Sequence, residues 1–79
     1  MIGYTRAARV WAWPEPVDMR AGFDRLFGLV ASAEGFDPMS GDYYLFVNAR
    51  RNRAKVLLYD GTGLCIYHKR LERGRFATP

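Results

Sequence analysis

Apolar and polar positions change their rhythm three times along this chain. Arg9 to Trp13 alternates, a β-prone stretch that puts Trp11 and Trp13 on one face of a strand, and Pro14 and Pro16 end it because neither donates to a ladder. Met19, Phe23, Leu26, Phe27 and Val30 then recur at helical spacing behind Asp18, which stands where an N-cap belongs. Gly22 and Gly28 weaken that helix by about 1 kcal/mol each relative to Ala, so it needs tertiary support. Gly35 suits its C-cap, with Pro38 beyond.

From Tyr43 the rhythm is that of strands. Tyr43 to Asn48 and Lys55 to Tyr59 flank a charged loop, and Asp60-Gly61-Thr62-Gly63 is turn chemistry leading into a last strand, Leu64 to Lys69. The expected architecture is β-α-β-β-β, an α+β domain with one helix packed on an antiparallel β-meander. If the turn keeps odd positions together, Val56, Leu58, Leu64 and Ile66 share the face that takes the helix. Lys55, Leu57, Tyr59, Cys65, Tyr67 and Lys69 then share the other, a platform that suits nucleic-acid bases or equally a second buried layer.

Seventy-nine residues hold one domain, residues 1–79, with residues 1–8 a loose leader. Such a chain buries only about 60% of its unfolded surface, so a partner would add stability. Hydrophobic residues at 49% and aromatics at 15% are too many for a disordered chain.

Charge is unevenly placed. Residues 49–79 carry Arg50, Arg51, Arg53, Lys55, Lys69, Arg70, Arg73 and Arg75 against Asp60 and Glu72, a net of +6. Residues 1–48 carry Arg6, Arg9, Arg20 and Arg25 against Glu15, Asp18, Asp24, Glu34, Asp37 and Asp42, a net of −2. A localised basic surface is the footprint of a polyanion partner. The loop after Asn48 and the end of the last strand lie at the same end of a meander, so the two basic clusters form one candidate DNA-binding patch: Arg50, Arg51, Arg53 and Lys55 with Lys69, Arg70, Arg73 and Arg75. Guanidinium forks suit phosphate oxygens. Solvated surface charge is the competing account. The rival function is a protein-docking module anchored by Trp11, Trp13, Tyr59 and Tyr67.

Catalytic chemistry is not evident. His68 and Cys65 are three apart in a strand and point to opposite faces, which denies them a shared metal. The carboxylates are scattered; Asp18 and Asp24 are six apart and poorly facing. Gly61-Thr62-Gly63 lacks the strand–loop–helix context of a phosphate loop. No enzyme, metal or cofactor is expected. A single cysteine and no apolar run of spanning length point to a cytoplasmic protein.

Three blocks together carry a resemblance. They are Asp18-Met19-Arg20-Ala21-Gly22-Phe23-Asp24, then Pro38 to Gly41 leading into the aromatic strand, then Arg50-Arg51 through Lys55-Val56-Leu57-Leu58-Tyr59-Asp60-Gly61-Thr62-Gly63-Leu64 and on to Tyr67-His68-Lys69-Arg70-Leu71-Glu72-Arg73-Gly74-Arg75-Phe76. From about Arg9 onward the chain resembles the small TnpB accessory protein of the IS-sixty-six family of bacterial insertion sequences, which is distinct from the RNA-guided nuclease of that name. Tyr59 stands where the family often has Trp, and family members usually continue with a further segment beyond the position of Pro79. The resemblance implies a bacterial, non-catalytic factor that supports DNA transposition beside a separate transposase. DNA is the implied partner and the transposase of the same element a second; an inactive truncated copy is the further alternative. It supplies no catalytic residues.

Overall fold

The computed structural model describes residues 8–77, so all of the expected leader except Ala8 lies outside the described residues. Five elements follow in the expected order: β1 (Val10–Ala12), α1 (Phe23–Ala31), β2 (Tyr43–Val47), β3 (Arg53–Tyr59) and β4 (Leu64–Arg70). They form an α+β unit, a four-stranded sheet of order β1-β2-β3-β4 with one helix on it.

The sheet is mixed. β2, β3 and β4 make the antiparallel meander, but β1 pairs with β2 in parallel. The connection from β1 to β2 passes through the helix, and such a crossover returns the chain in its starting direction. Trp13 extends the parallel pairing by donating its N–H to the Leu45 carbonyl at 2.8 Å.

Trp11, Tyr44, Leu57 and Ile66 lie opposite one another across the four strands. This row faces α1, whose Leu26 and Val30 are fully buried against Tyr44, Phe46 and Leu57. Each such side chain contributes about 1.5–3 kcal/mol on burial, which gives a nine-residue helix the support that its length alone denies it. The Tyr44 hydroxyl donates to the Asp37 carbonyl at 2.9 Å, so its burial leaves no donor unpaired.

The expected sheet faces are corrected. Tyr59 pairs with Leu64 across a four-residue turn, so partners differ by five positions and odd residues of β3 meet even residues of β4. Leu57 and Tyr59 therefore join Leu64 and Ile66 under the helix, with Lys55 on that same side. Val56 and Leu58 join Cys65, Tyr67 and Lys69 on the opposite face.

The helix is also shorter than its apolar spacing. Asp18 caps a turn ahead of it: its Oδ1 accepts the Arg20 N–H at 2.8 Å and its carbonyl accepts that of Ala21 at 3.1 Å. Val17 is tied to the Val47 carbonyl at 3.0 Å, and Gly22, in extended conformation, becomes the N-cap. Met19 thus reaches the core from outside the helix. Ser32 is the C-cap, and Gly35 serves the next turn at φ 88°.

Candidate nucleic-acid interface

The basic loop between β2 and β3 is built by Asn48. Its Oδ1 accepts the N–H groups of Asn52 and Arg53, both at 3.0 Å, and its Nδ2 donates to the Asn52 side chain at 2.8 Å. The Asn48 carbonyl takes the Arg51 N–H at 2.9 Å, which closes a turn over Ala49 and Arg50. An Asn side chain that replaces backbone partners is what holds such a turn without regular pairing. Arg51 follows in the left-handed region at φ 57°. Arg50 and Arg53 are exposed, and Arg51 is half-buried.

The C-terminal tail folds back onto this loop. Leu71 donates its N–H to the Asn52 carbonyl at 2.8 Å, and Phe76 donates to the Arg51 carbonyl at 2.6 Å. Between those two anchors lie Arg73 and Arg75, both exposed. Arg53 and Arg70 stand opposite each other on adjacent strands, a like-charge pairing that costs stability in isolation. Glu72 offsets it by accepting from Arg70 Nε at 3.0 Å.

Arg50, Arg51, Arg53, Arg70, Arg73 and Arg75 are thus brought to one end of the sheet, and Lys69 borders them from the face away from the helix. Lys55 is drawn apart: its Nζ donates to the Ala21 carbonyl at 2.7 Å, on the helix side.

A cleft of about 600 Å³ separates this loop from the Pro16–Arg20 segment, and Arg20, Arg50 and Arg53 all line it. Sequence reasoning left Arg20 out. Asp18 grips its guanidinium, with Nη2 2.7 Å and Nε 3.2 Å from Oδ2. That hydrogen-bonded guanidinium, together with the Arg20 N–H, holds the Asp18 carboxyl down to about 2. The Asp18-Met19-Arg20 spacing announces the pair; only the fold sets it across from the loop.

The four aromatic candidates are not brought together. Trp11 donates its indole N–H to Asp42 Oδ2 at 3.0 Å and packs edge-on against Phe36, while Trp13 packs on Phe46 with ring centres 5.6 Å apart. Tyr59 is half-buried on the helix side, its hydroxyl donating to the Gly61 carbonyl at 3.0 Å. Tyr67 alone of the four is on the opposite face, 66% exposed. Sequence reasoning also missed Asp42, a buried carboxylate that ties β1 to the start of β2 by accepting from Trp11 and from the Arg9 N–H.

The face away from α1 carries Leu45, Val47, Val56 and Leu58, all half-buried, with Val10 at 67% exposure paired beside Tyr43 at 41% on one side and Tyr67 on the other edge strand. Phe76 and Ala77 border its basic end, where they line an apolar groove with Ala12, Leu45 and Val47.

Among the described residues, no group of three His, Cys, Asp or Glu side chains is placed to hold a metal ion, and no helix is long and apolar enough to cross a membrane.

Two proteins of Sinorhizobium fredii align with all 79 residues of the chain. Uncharacterized protein y4jC is 39% identical, the alignment covering 68% of its length; uncharacterized protein y4hO is 38% identical, with 69% covered. No solved structure matches. The family described as IS66 Orf2 like protein matches residues 8–79. The chain belongs to the IS66 Orf2-like family of insertion-sequence proteins.

Proposed function

We propose that this chain is a non-catalytic accessory factor that holds DNA during transposition of its insertion sequence. Membership of the IS66 Orf2-like family connects it with insertion-sequence transposition. The observation that carries the DNA contact is the pair of hydrogen bonds from Leu71 and Phe76 to the loop carbonyls of Asn52 and Arg51. They join two basic segments, distant in sequence, into one surface. Arg50, Arg51 and Arg53 meet the phosphate backbone from the loop, and Lys69, Arg70, Arg73 and Arg75 meet it from the strand end and tail. Lys55, engaged by Ala21, adds to the field rather than to the contacts. Phosphate contacts position a protein on DNA without reading sequence.

The test is fluorescence anisotropy with single- and double-stranded DNA at several salt concentrations. Each phosphate contact adds about 0.9 to the slope of log affinity against log salt on duplex DNA. Changing Arg50, Arg51 and Arg53 together to Ala reduces that slope by about 2–3 in a sample that still folds. A folded wild-type chain with no salt-sensitive binding would sink the reading.

The sheet face away from the helix favours a second role, docking on the transposase of the same element. It is apolar at its centre, and Val10 and Tyr67 present most of their surface to solvent. Exposed apolar patches of this kind mark contact sites.

A further inference from the structure

Arg20 has no part in the clamp as drawn so far. It belongs to the acidic N-terminal half, its side chain is 92% exposed, and its nearest partner is a carboxylate. Yet it lines the same cleft as Arg50 and Arg53, facing them from the Pro16–Arg20 segment.

Both walls of that cleft are held in place. On one side, Asn48 and Asn52 fix the loop backbone through their side chains. On the other, Val17 is pinned to Val47, and Asp18 binds both the N–H and the guanidinium of Arg20. The lining is three guanidiniums against one carboxylate. Asp18 engages Arg20 through Nε and Nη2, and guanidinium also has N–H donors on its other nitrogen. A volume of about 600 Å³, open to solvent, suits a segment of sugar-phosphate chain rather than a buried small molecule.

We infer that this cleft is a phosphodiester-binding site, in which Arg20 grips the nucleic-acid backbone from the side opposite Arg50 and Arg53. The inference rests on the DNA-holding reading above and adds a second wall to it. Asp18 positions the Arg20 fork in the free protein, as a carboxylate orients a guanidinium by two-point contact. The backbone phosphate then takes the donors that point into the cleft.

Arg20→Ala, compared with Arg9→Ala, tests this. Both remove one positive charge from an exposed position. Arg9 lies beside Tyr43, at the end of the sheet away from the basic loop, so it controls for net charge. Duplex binding is followed by anisotropy across salt, and folding of each variant by circular dichroism. Arg20→Ala is expected to lower the salt slope by about 0.9, as the loss of one phosphate contact does, while Arg9→Ala leaves the slope unchanged. Arg20→Lys should keep most of the slope, since a point charge survives while the fork is lost. If Arg20→Ala behaves like Arg9→Ala while the Arg50, Arg51 and Arg53 triple variant still weakens binding, the second wall is overturned and the loop clamp stands. Absence of duplex binding by the wild-type chain overturns both.

Discussion

Arg51 occupies a conformation that L-residues avoid. Its φ of 57° crowds Cβ against the backbone, at a cost of about 1–2 kcal/mol. Glycine would take the position without strain, yet the chain places a cation there, between the turn that Asn48 closes and the carbonyl that Phe76 binds. Strained residues gather where function holds them. Arg51→Gly and Arg51→Ala both delete the side chain, so their difference isolates the backbone term. Urea unfolding should find the Gly variant more stable than the Ala variant by about 1 kcal/mol. Their DNA affinities should fall alike. Equal stabilities would mean that the loop relaxes once the side chain is gone. The charged loop from Ala49 to Arg53 was readable in advance; the Asn48 and Asn52 side chains that hold it were not. Nor was its left-handed residue, because the usual signal for that conformation is Gly or Asn.

The β3–β4 hairpin shows how one turn sets two faces. Asp60 Oδ1 accepts the Thr62 N–H and hydroxyl at 2.8 Å and the Gly63 N–H at 3.0 Å. These bonds, the Thr62 backbone first, hold the Asp60 carboxyl down to about 2 from an ordinary 3.8. A folded-state pKa below the unfolded one stabilises fully above about pH 4, and the contribution fades as pH falls toward 2. Asp18 is lowered too, by the Arg20 guanidinium first and then the Arg20 N–H, and adds to the same window. Thermal unfolding of Asp60→Asn should therefore show a shallower fall in midpoint between pH 4 and 2 than the wild type, because the amide oxygen accepts the same bonds without titrating. An unchanged acid limb would leave the turn without a measurable share. The turn residues themselves were legible. So was its length of four, but four intervening residues pair Tyr59 with Leu64 and set odd positions against even ones, the reverse of the parity expected from it.

The described residues form three surfaces: a helix-covered face, a basic end and an apolar face that no helix among them covers. The first is the core. The second is the proposed DNA contact, made from segments about twenty residues apart. The third is where docking on the transposase is proposed. Changing Val10 and Tyr67 to Ser, both well exposed, should leave unfolding nearly unchanged. Binding to purified transposase of the same element, measured by calorimetry, should weaken by about thirtyfold, the effect of losing an interface anchor worth 2 kcal/mol. If that variant binds normally and the loop-arginine variant does not, the basic end serves the protein partner as well.

The order of elements, the α+β class, the strand-and-turn character of the second half and the family resemblance were all present in the linear chain. Each rests on local chemistry: apolar period, proline and glycine positions, and turn residues. Register, the parallel seat of β1, the late start of the helix, the withdrawal of Lys55 to Ala21 and the meeting of Arg20 with the basic loop belong to the tertiary structure. They depend on which backbone groups pair across long separations, and a pairing displaced by one residue turns every side chain of a strand to the other face.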